Sequence, residues 1–239
     1  MQPDEISELC AALLRMLPAG ARSSAGSISG SSADLPTAEL AATGRMSERR
    51  LKDFTAGRAQ ARIVLRELGL ESPVVPVGPG RTPLWPAGFV GSISHAGDVA
   101  VAVGAPDSLL AAIGVDLEPA VPLATELLER VCLPAELARL RSHPRPGVGA
   151  TLTFSAKESV YKCLSPLTGA FLEFEEVEIE LDMAGGRFVA RGHGPNGSLV
   201  SDALLVGRFA GVGGYWLTSA WQWATACAET MADQRPGGL

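Results

Sequence analysis

No run in this 239-residue chain approaches the roughly 20 consecutive apolar residues that a membrane span needs, so no membrane partner is expected. The first residues, Met1-Gln2-Pro3-Asp4-Glu5, lack the basic charge of a secretory leader, and no long apolar run with a cleavage site follows, so the cytoplasm is the expected compartment. Cysteine is sparse. Cys10, Cys132, Cys163 and Cys227 lie far apart with no Cys-x-x-Cys, which points to neither a zinc site nor a disulfide framework and leaves them as reduced, buried thiols. Lysine is scarcer still, at three against 17 arginines, and two of the three, Lys157 and Lys162, share one short segment. With a net charge of −6, the chain is no general nucleic-acid binder.

What is present is 46% apolar residues, enough for a sizeable core in one large domain or two small ones. Positive charge is concentrated in Arg45, Arg49, Arg50, Lys52, Arg58, Arg62 and Arg66, opposed only by Glu48 and Asp53. Such a patch suits a phosphate-rich ligand or an acidic partner, or is a solvated helix face. Apolar spacing predicts a helix over 5–17, ended by Pro18-Ala19-Gly20. The Ser-, Gly- and Ala-rich stretch 21–33 reads as a flexible loop. A long helix over 46–70 starts at the N-cap Ser47, and steps of eight and four residues bring Arg50, Arg58 and Arg62 close to one face. A Pro- and Gly-rich connector fills 72–88, and strands are predicted over 90–95, 99–104 and 110–118, joined by tight turns that imply antiparallel pairing. Helices over 124–132, 134–140 and 151–164 follow, the last ended by Pro166, and then strands over 177–181, 187–191, 203–209 and 215–224. Trp216, Trp221 and Trp223 are spaced as strand residues of the core or sheet surface.

Gly114-Val115-Asp116-Leu117-Glu118-Pro119 is the chemically suggestive strand. Side chains alternate along a strand, so Asp116 and Glu118 share one face while Val115 and Leu117 enter a core. Two acids on one face suit a hard divalent cation, or are simply solvated at a strand end. Phe154-Ser155-Ala156-Lys157-Glu158-Ser159-Val160-Tyr161-Lys162 is helical, and Glu158 and Lys162 lie one turn apart. On its own that is an ordinary surface pair; beside Asp116 and Glu118 it becomes a third carboxylate with a cation next to it.

The ordered series Ser92-Ile93-Ser94-His95, Gly114 to Pro119 and Phe154 to Lys162 resembles the surfactin/enterobactin type of 4′-phosphopantetheinyl transferase. Arg49-Arg50-Leu51-Lys52-Asp53-Phe54-Thr55-Ala56-Gly57-Arg58 and Trp85-Pro86-x-Gly88 resemble its enterobactin-like branch. The resemblance implies an α+β fold of two pseudo-symmetric subdomains with antiparallel sheets and the active site at their interface. The expected division is 1–119, 120–230 and a disordered tail at 231–239. It also implies transfer of the phosphopantetheine arm of coenzyme A to a serine of an acyl or peptidyl carrier protein, such as those of polyketide and nonribosomal peptide assembly, releasing adenosine 3′,5′-bisphosphate.

By the same resemblance Asp116, Glu118 and Glu158 hold Mg2+, with Mn2+ as an alternative. Glu158 accepts the serine proton, directly or through a metal-bound water, Lys162 and Lys157 meet the pyrophosphate, and Arg50, Arg58 and His95 meet the 3′-phosphate and adenosine end. Ser94 adds a hydroxyl contact to phosphate, and Arg81 and Thr82 lie along the adenine. Leu123, Leu127 and Leu128 offer an apolar patch for the carrier, and the protein is expected to be a monomer. His143 and His193 match nothing in the family. Two other readings stay open: another Mg2+-dependent phosphoryl or nucleotidyl transferase, and a carrier-protein or coenzyme A binder without turnover.

Overall fold

The computed structural model describes residues 2–142, 145–203 and 205–228, so the expected tail at 231–239 and His143 lie outside the described residues. The chain runs α1 (Pro3–Met16), β1 (Arg22–Ser27), α2 (Thr37–Leu40), α3 (Glu48–Glu67), β2 (Phe89–Ala96), β3 (Val99–Pro106) and β4 (Leu110–Pro119). It continues through α4 (Thr125–Val131), α5 (Pro134–Leu140), α6 (Pro146–Thr168), β5 (Val177–Asp182), β6 (Arg187–Gly192), α7 (Gly197–Ser201), β7 (Val206–Val212), β8 (Tyr215–Trp223) and α8 (Thr225–Ala228). The strands form two antiparallel sheets, ordered β1-β3-β2 and β4-β8-β7-β6-β5. The fold is α+β, with α3 against the first sheet and α6 against the second, although the halves are unequal at three strands and five.

The stretch expected to be a flexible loop contains β1, which pairs with β3 from Arg22 opposite Gly104 to Ser27 opposite Val99. Its small residues carry little strand propensity, but β3 is a valine strand buried over almost its whole length and needs partners on both edges. The Ser24 hydroxyl then donates to Gln60 Oε1 on α3 at 2.6 Å, which fixes the strand against the helix.

The expected boundary at 119 also moves. Strand β4 is not the third strand of the first sheet but the edge of the second, paired with β8 from Leu110 opposite Trp223 to Pro119 opposite Tyr215. Its link to β2 is made by side chains: Ser92 Oγ accepts from Val115 N at 3.1 Å, and Ser94 Oγ accepts from Leu117 N at 3.3 Å. Alternation along β4 holds. Ile113, Val115 and Leu117 enter a core shared with Leu9 and Leu13 of α1 and Val99, Val101 and Val103 of β3. The opposite face, Ala112 and Gly114, lies under α6, and the same face continues to Asp116 and Glu118.

Gly114 sets the height of α6. A Cβ there would run into the Ser159 carbonyl oxygen and stand 2.6 Å from Cys163 N, both helix backbone atoms that cannot turn aside. Gly114→Ala is expected to destabilise the fold by about 3 kcal/mol, read as a lowered midpoint in urea unfolding, because the helix has to lift from the sheet. Helix α6 is longer than its expected span at both ends. Pro146 fits the first turn, where its missing N–H has no helical acceptor, and Gly169 at φ 66° closes the helix after Pro166 has already removed one bond of the last turn. Two thiols, Cys132 and Cys163, are buried as expected, whereas Cys10 and Cys227 are half-exposed; all four are free.

Candidate functional site

A cavity of about 450 Å3 lies where β2 and α3 of one half meet β4 and α6 of the other. From α3 it is lined by Arg50, Asp53, Phe54, Gly57 and Arg58, one face of the helix. That face closes on β2 because position 57 has no side chain: a Cβ there would sit 2.8 Å from Ile93 Cγ2. The connector supplies Arg81, Thr82 and Trp85, strand β2 supplies Ser94 and His95, β4 supplies Asp116 and Glu118, and α6 supplies Glu158, Tyr161, Lys162 and Ser165. Of the residues expected at a site, only Lys157 is missing from this wall.

Lys157 and Glu158 are consecutive on a helix, so their side chains point about 100° apart, and here Glu158 lines the cavity while Lys157 does not. Lys157 is turned into the protein, with side chains 1% exposed on both members of its 2.8 Å ion pair with Glu136. Its ammonium also donates to the carbonyls of Val131 at 2.7 Å and Phe174 at 2.8 Å. The expected pyrophosphate contact is therefore corrected: Lys157 fastens α6 to the segments around α5 and β5. Burial holds its pKa below the ordinary lysine value, against the opposing pull of Glu136.

Asp116 is the best-held acid of the cavity. Oδ1 accepts from Lys162 Nζ at 2.6 Å and Ser94 Oγ at 2.9 Å, and Oδ2 accepts from Ser155 Oγ at 2.9 Å. Behind it the Thr218 hydroxyl of β8 lies 2.9 Å from Ser155 Oγ. Glu118 and Glu158 make no such bonds among the described residues. Burial first, then the charges of Asp116 and Glu158, push the Glu118 carboxyl up to about 7, with Lys162 opposing. Glu158 is raised by burial and by Asp116, again against Lys162.

The three acids thus face one cavity and repel one another. Among the described residues no group of three or more His, Cys, Asp or Glu side chains stands so as to hold a metal ion. All three expected carboxylates line the cavity, and the Lys162 ammonium balances Asp116 here. The chemistry of the set, three hard oxygen donors of which two have their ionised form disfavoured without a cation, fits a divalent cation.

The opposite wall is basic. Arg58 is 5% exposed with its guanidinium 4.6 Å from the Phe54 ring centroid, one weak bond to the Pro76 carbonyl at 3.5 Å, and an Nε without a partner. Burial lowers its pKa to about 10, with Glu39 opposing and Arg50 and Arg62 adding, so the charge is retained at neutral pH. Arg50 Nη1 lies 3.2 Å from His95 Nε2. The His95 pKa is lowered, chiefly by burial, so the neutral ring accepts from Arg50. Arg62, expected on the same band, instead pairs with buried Glu39. Ser94 lines the cavity, but its hydroxyl is committed to Asp116. Arg81 is exposed at φ 64°, beside Thr82, whose hydroxyl donates to the Pro79 carbonyl at 2.9 Å.

Outside the cavity, His193 pairs with Glu178. Leu123 and Leu128 pack on the core under α4 and α5, which leaves Leu127 alone of the expected carrier patch exposed. Sequence reasoning missed Ser155, although it stands one turn before Glu158 and two before Lys162, and missed Thr218, for which no spacing signal exists. No helix among the described residues is long and apolar enough to cross a membrane.

Two family models match the chain. The one described as 4′-phosphopantetheinyl transferase N-terminal domain covers residues 38–105, and the one described as 4′-phosphopantetheinyl transferase superfamily covers residues 112–212. The break between them falls at the turn that leads from β3 of the first sheet into β4 of the second. The chain is 43% identical over 159 residues to 4′-phosphopantetheinyl transferase Svp of Streptomyces mobaraensis, covering 64% of this chain and 63% of that protein. It is 36% identical over 163 residues to 4′-phosphopantetheinyl transferase Npt of Nocardia iowensis, covering 67% and 71%. It is 39% identical over 142 residues to enterobactin synthase component D of Escherichia coli O157:H7, covering 58% and 65%.

Proposed function

We infer that this chain, which belongs to the 4′-phosphopantetheinyl transferase superfamily, moves the 4′-phosphopantetheine arm of coenzyme A onto a serine hydroxyl of an acyl or peptidyl carrier protein. Adenosine 3′,5′-bisphosphate leaves. One observation carries the reading: a single cavity between two sheets has an arginine wall on one side and an acid and lysine wall on the other. That polarity matches a substrate whose 3′-phosphate end must be gripped while its pyrophosphate is attacked by a hydroxyl that has to lose a proton.

On the arginine wall, Arg58 is buried, charged and nearly unpartnered, so a phosphate offers it better hydrogen bonds than the protein does. Arg50, exposed and with its guanidinium bound to a neutral His95, can turn to the same phosphate. On the other wall Lys162 is placed to leave Asp116 for a pyrophosphate oxygen, where its charge offsets the negative charge that develops on transfer. Glu158 has no competing hydrogen bond and a raised pKa, which suits it to take the serine proton. Asp116, Glu118 and Glu158 would hold Mg2+, whose charge would neutralise the pyrophosphate when bound.

The test is to incubate the chain with coenzyme A, Mg2+ and an apo carrier protein and to weigh the carrier. A gain equal to one phosphopantetheine group is expected, and an unchanged carrier mass would overturn the reading. Arg50→Ala is expected to raise the coenzyme A KM about tenfold with kcat within about twofold, because the lost contact serves bound substrate and transition state alike. Steady-state kinetics at varied coenzyme A checks this, and a fall in kcat at unchanged KM would remove Arg50 from the coenzyme A wall.

A further inference from the structure

Glu39 has none of its surface exposed, yet it lies outside the cavity and outside every motif read from the sequence. It sits on the four-residue helix α2, where a carboxylate would ordinarily face water. Both of its oxygens are used. Oε2 takes a charge-assisted bond from Arg62 Nη1 on α3, and Oε1 accepts from the backbone N–H of Val75 at 2.8 Å. Arg62 Nη2 in turn reaches the Asp34 carbonyl at 3.3 Å. One buried side chain therefore ties three segments distant in sequence.

Val75 is the root of a loop. Immediately beyond it the chain folds back on itself, with Leu84 N on the Pro76 carbonyl at 2.9 Å, Gly78 N on the Thr82 carbonyl at 2.8 Å, and a bridge between Val77 and Pro83. That turn carries Val77, Gly80, Arg81, Thr82 and Pro83 to the cavity, and among the described residues the Pro76 carbonyl is the acceptor that Arg58 meets. The bonds of the far end, from Arg81 N to the Gly78 carbonyl and from Thr82 N and its hydroxyl to the Pro79 carbonyl, stay within the turn, so its placement against α3 is set at its roots, of which Val75 is one. The Val75 side chain packs against Ala61, Val64 and Leu65 of α3, and its N–H is oriented by Glu39.

We propose that Glu39 is a positioning residue that fixes the 76–84 turn as the nucleotide-side wall of the cavity and thereby sets affinity for the 3′-phosphorylated nucleoside end of the substrate. The proposal rests on the functional reading given above. It implies that the buried ion pair serves binding through geometry, with no contact between Glu39 and ligand.

Two double variants isolate the bond to Val75. Glu39→Ala with Arg62→Met and Glu39→Gln with Arg62→Met both remove the buried charges, and they differ in whether position 39 can accept from the Val75 N–H. Calorimetry with adenosine 3′,5′-bisphosphate is expected to give a Kd about tenfold weaker for the alanine pair and within about twofold of wild type for the glutamine pair, since a displaced wall misplaces its contacts. Amide exchange over 75–85 is expected to be about tenfold faster in the alanine pair alone, while kcat at saturating coenzyme A stays within about twofold in both. Equal Kd values for the two variants would overturn the proposal, as would unchanged exchange over 75–85. Should the alanine pair not fold, the wild-type Val75 amide decides: slow exchange supports the proposal, and exchange at the rate of a free loop amide overturns it. Wild-type protein that binds no adenosine 3′,5′-bisphosphate would overturn the functional reading and this inference with it, whereas normal wild-type binding with indifferent variants would sink the inference alone.

Discussion

Glu158→Gln is expected to slow transfer to the carrier serine by about 10²–10⁴-fold while leaving the protein folded, because the amide cannot accept the hydroxyl proton and a general base contributes about that much. Glu158 is half-buried, bears no hydrogen bond among the described residues, and has its ionised form disfavoured by burial and by Asp116. Removing that charge relieves the fold rather than weakening it. The sign follows from linkage. An acid whose folded pKa is raised binds more protons folded than unfolded, so it lowers stability as pH rises through the interval between its two pKa values. For Glu118 that interval runs from 4.5 to about 7, and Glu158 acts in the same direction. At pH 8 the Glu158→Gln protein should therefore melt no lower than wild type. Single-turnover carrier modification followed by mass, with a melting curve at the same pH, checks both halves. A variant that keeps more than a tenth of the rate would remove Glu158 as the base, and one that is unfolded would remove it from the surface of the cleft.

Lys157→Ala should do the opposite, costing about 3–5 kcal/mol of stability, because it strands a carboxylate inside the protein. Glu136 is as buried as its partner, and its two oxygens accept from Ile179 N at 2.6 Å and Leu133 N at 2.7 Å. It cannot swing out to water when Lys157 goes. In a chain of this length the melting temperature should fall by about 10 °C. Adding Glu136→Gln to Lys157→Met should restore part of the loss, since an amide keeps the Ile179 bond without a charge but gives up the one from Leu133 N. Below its melting temperature the alanine variant should retain the wild-type KM for coenzyme A. A raised KM with unchanged stability would return Lys157 to the pyrophosphate.

These two neighbours show where the sequence was legible and where it misled. The spacing of Glu158 and Lys162 and the alternation of Asp116 and Glu118 are backbone periodicities, and the structure preserves both. The resemblance grouped Lys157 with them, although one step on a helix turns a side chain by more than a quarter circle. The carboxylate that claims it, Glu136, lies 21 positions earlier on another helix, a pairing that no local pattern records. Strand β1 was hidden for a different reason: Arg22-Ser-Ser-Ala-Gly-Ser27 carries no hydrophobic alternation, and its order comes from the open edge of β3. The partner of β4 was illegible too, because a short turn after β3 reads as a hairpin whether the chain folds back or crosses to another sheet. Ser94 was expected to contact phosphate, and both it and its motif neighbour Ser92 have an architectural task, each taking a β4 amide with its hydroxyl.

Because the two sheets meet through serine hydroxyls and valine side chains, with no shared ladder among the described residues, the polypeptide has a natural place to be divided. A nick in the turn at 107–109 would leave each fragment with its own complete set of strand pairings, and with one half of a common apolar seam exposed. Two such pieces, expressed separately, are expected to seek each other out and rebuild the whole. The protein would then serve as a split reporter whose signal, a newly modified carrier, exists only while both pieces are joined.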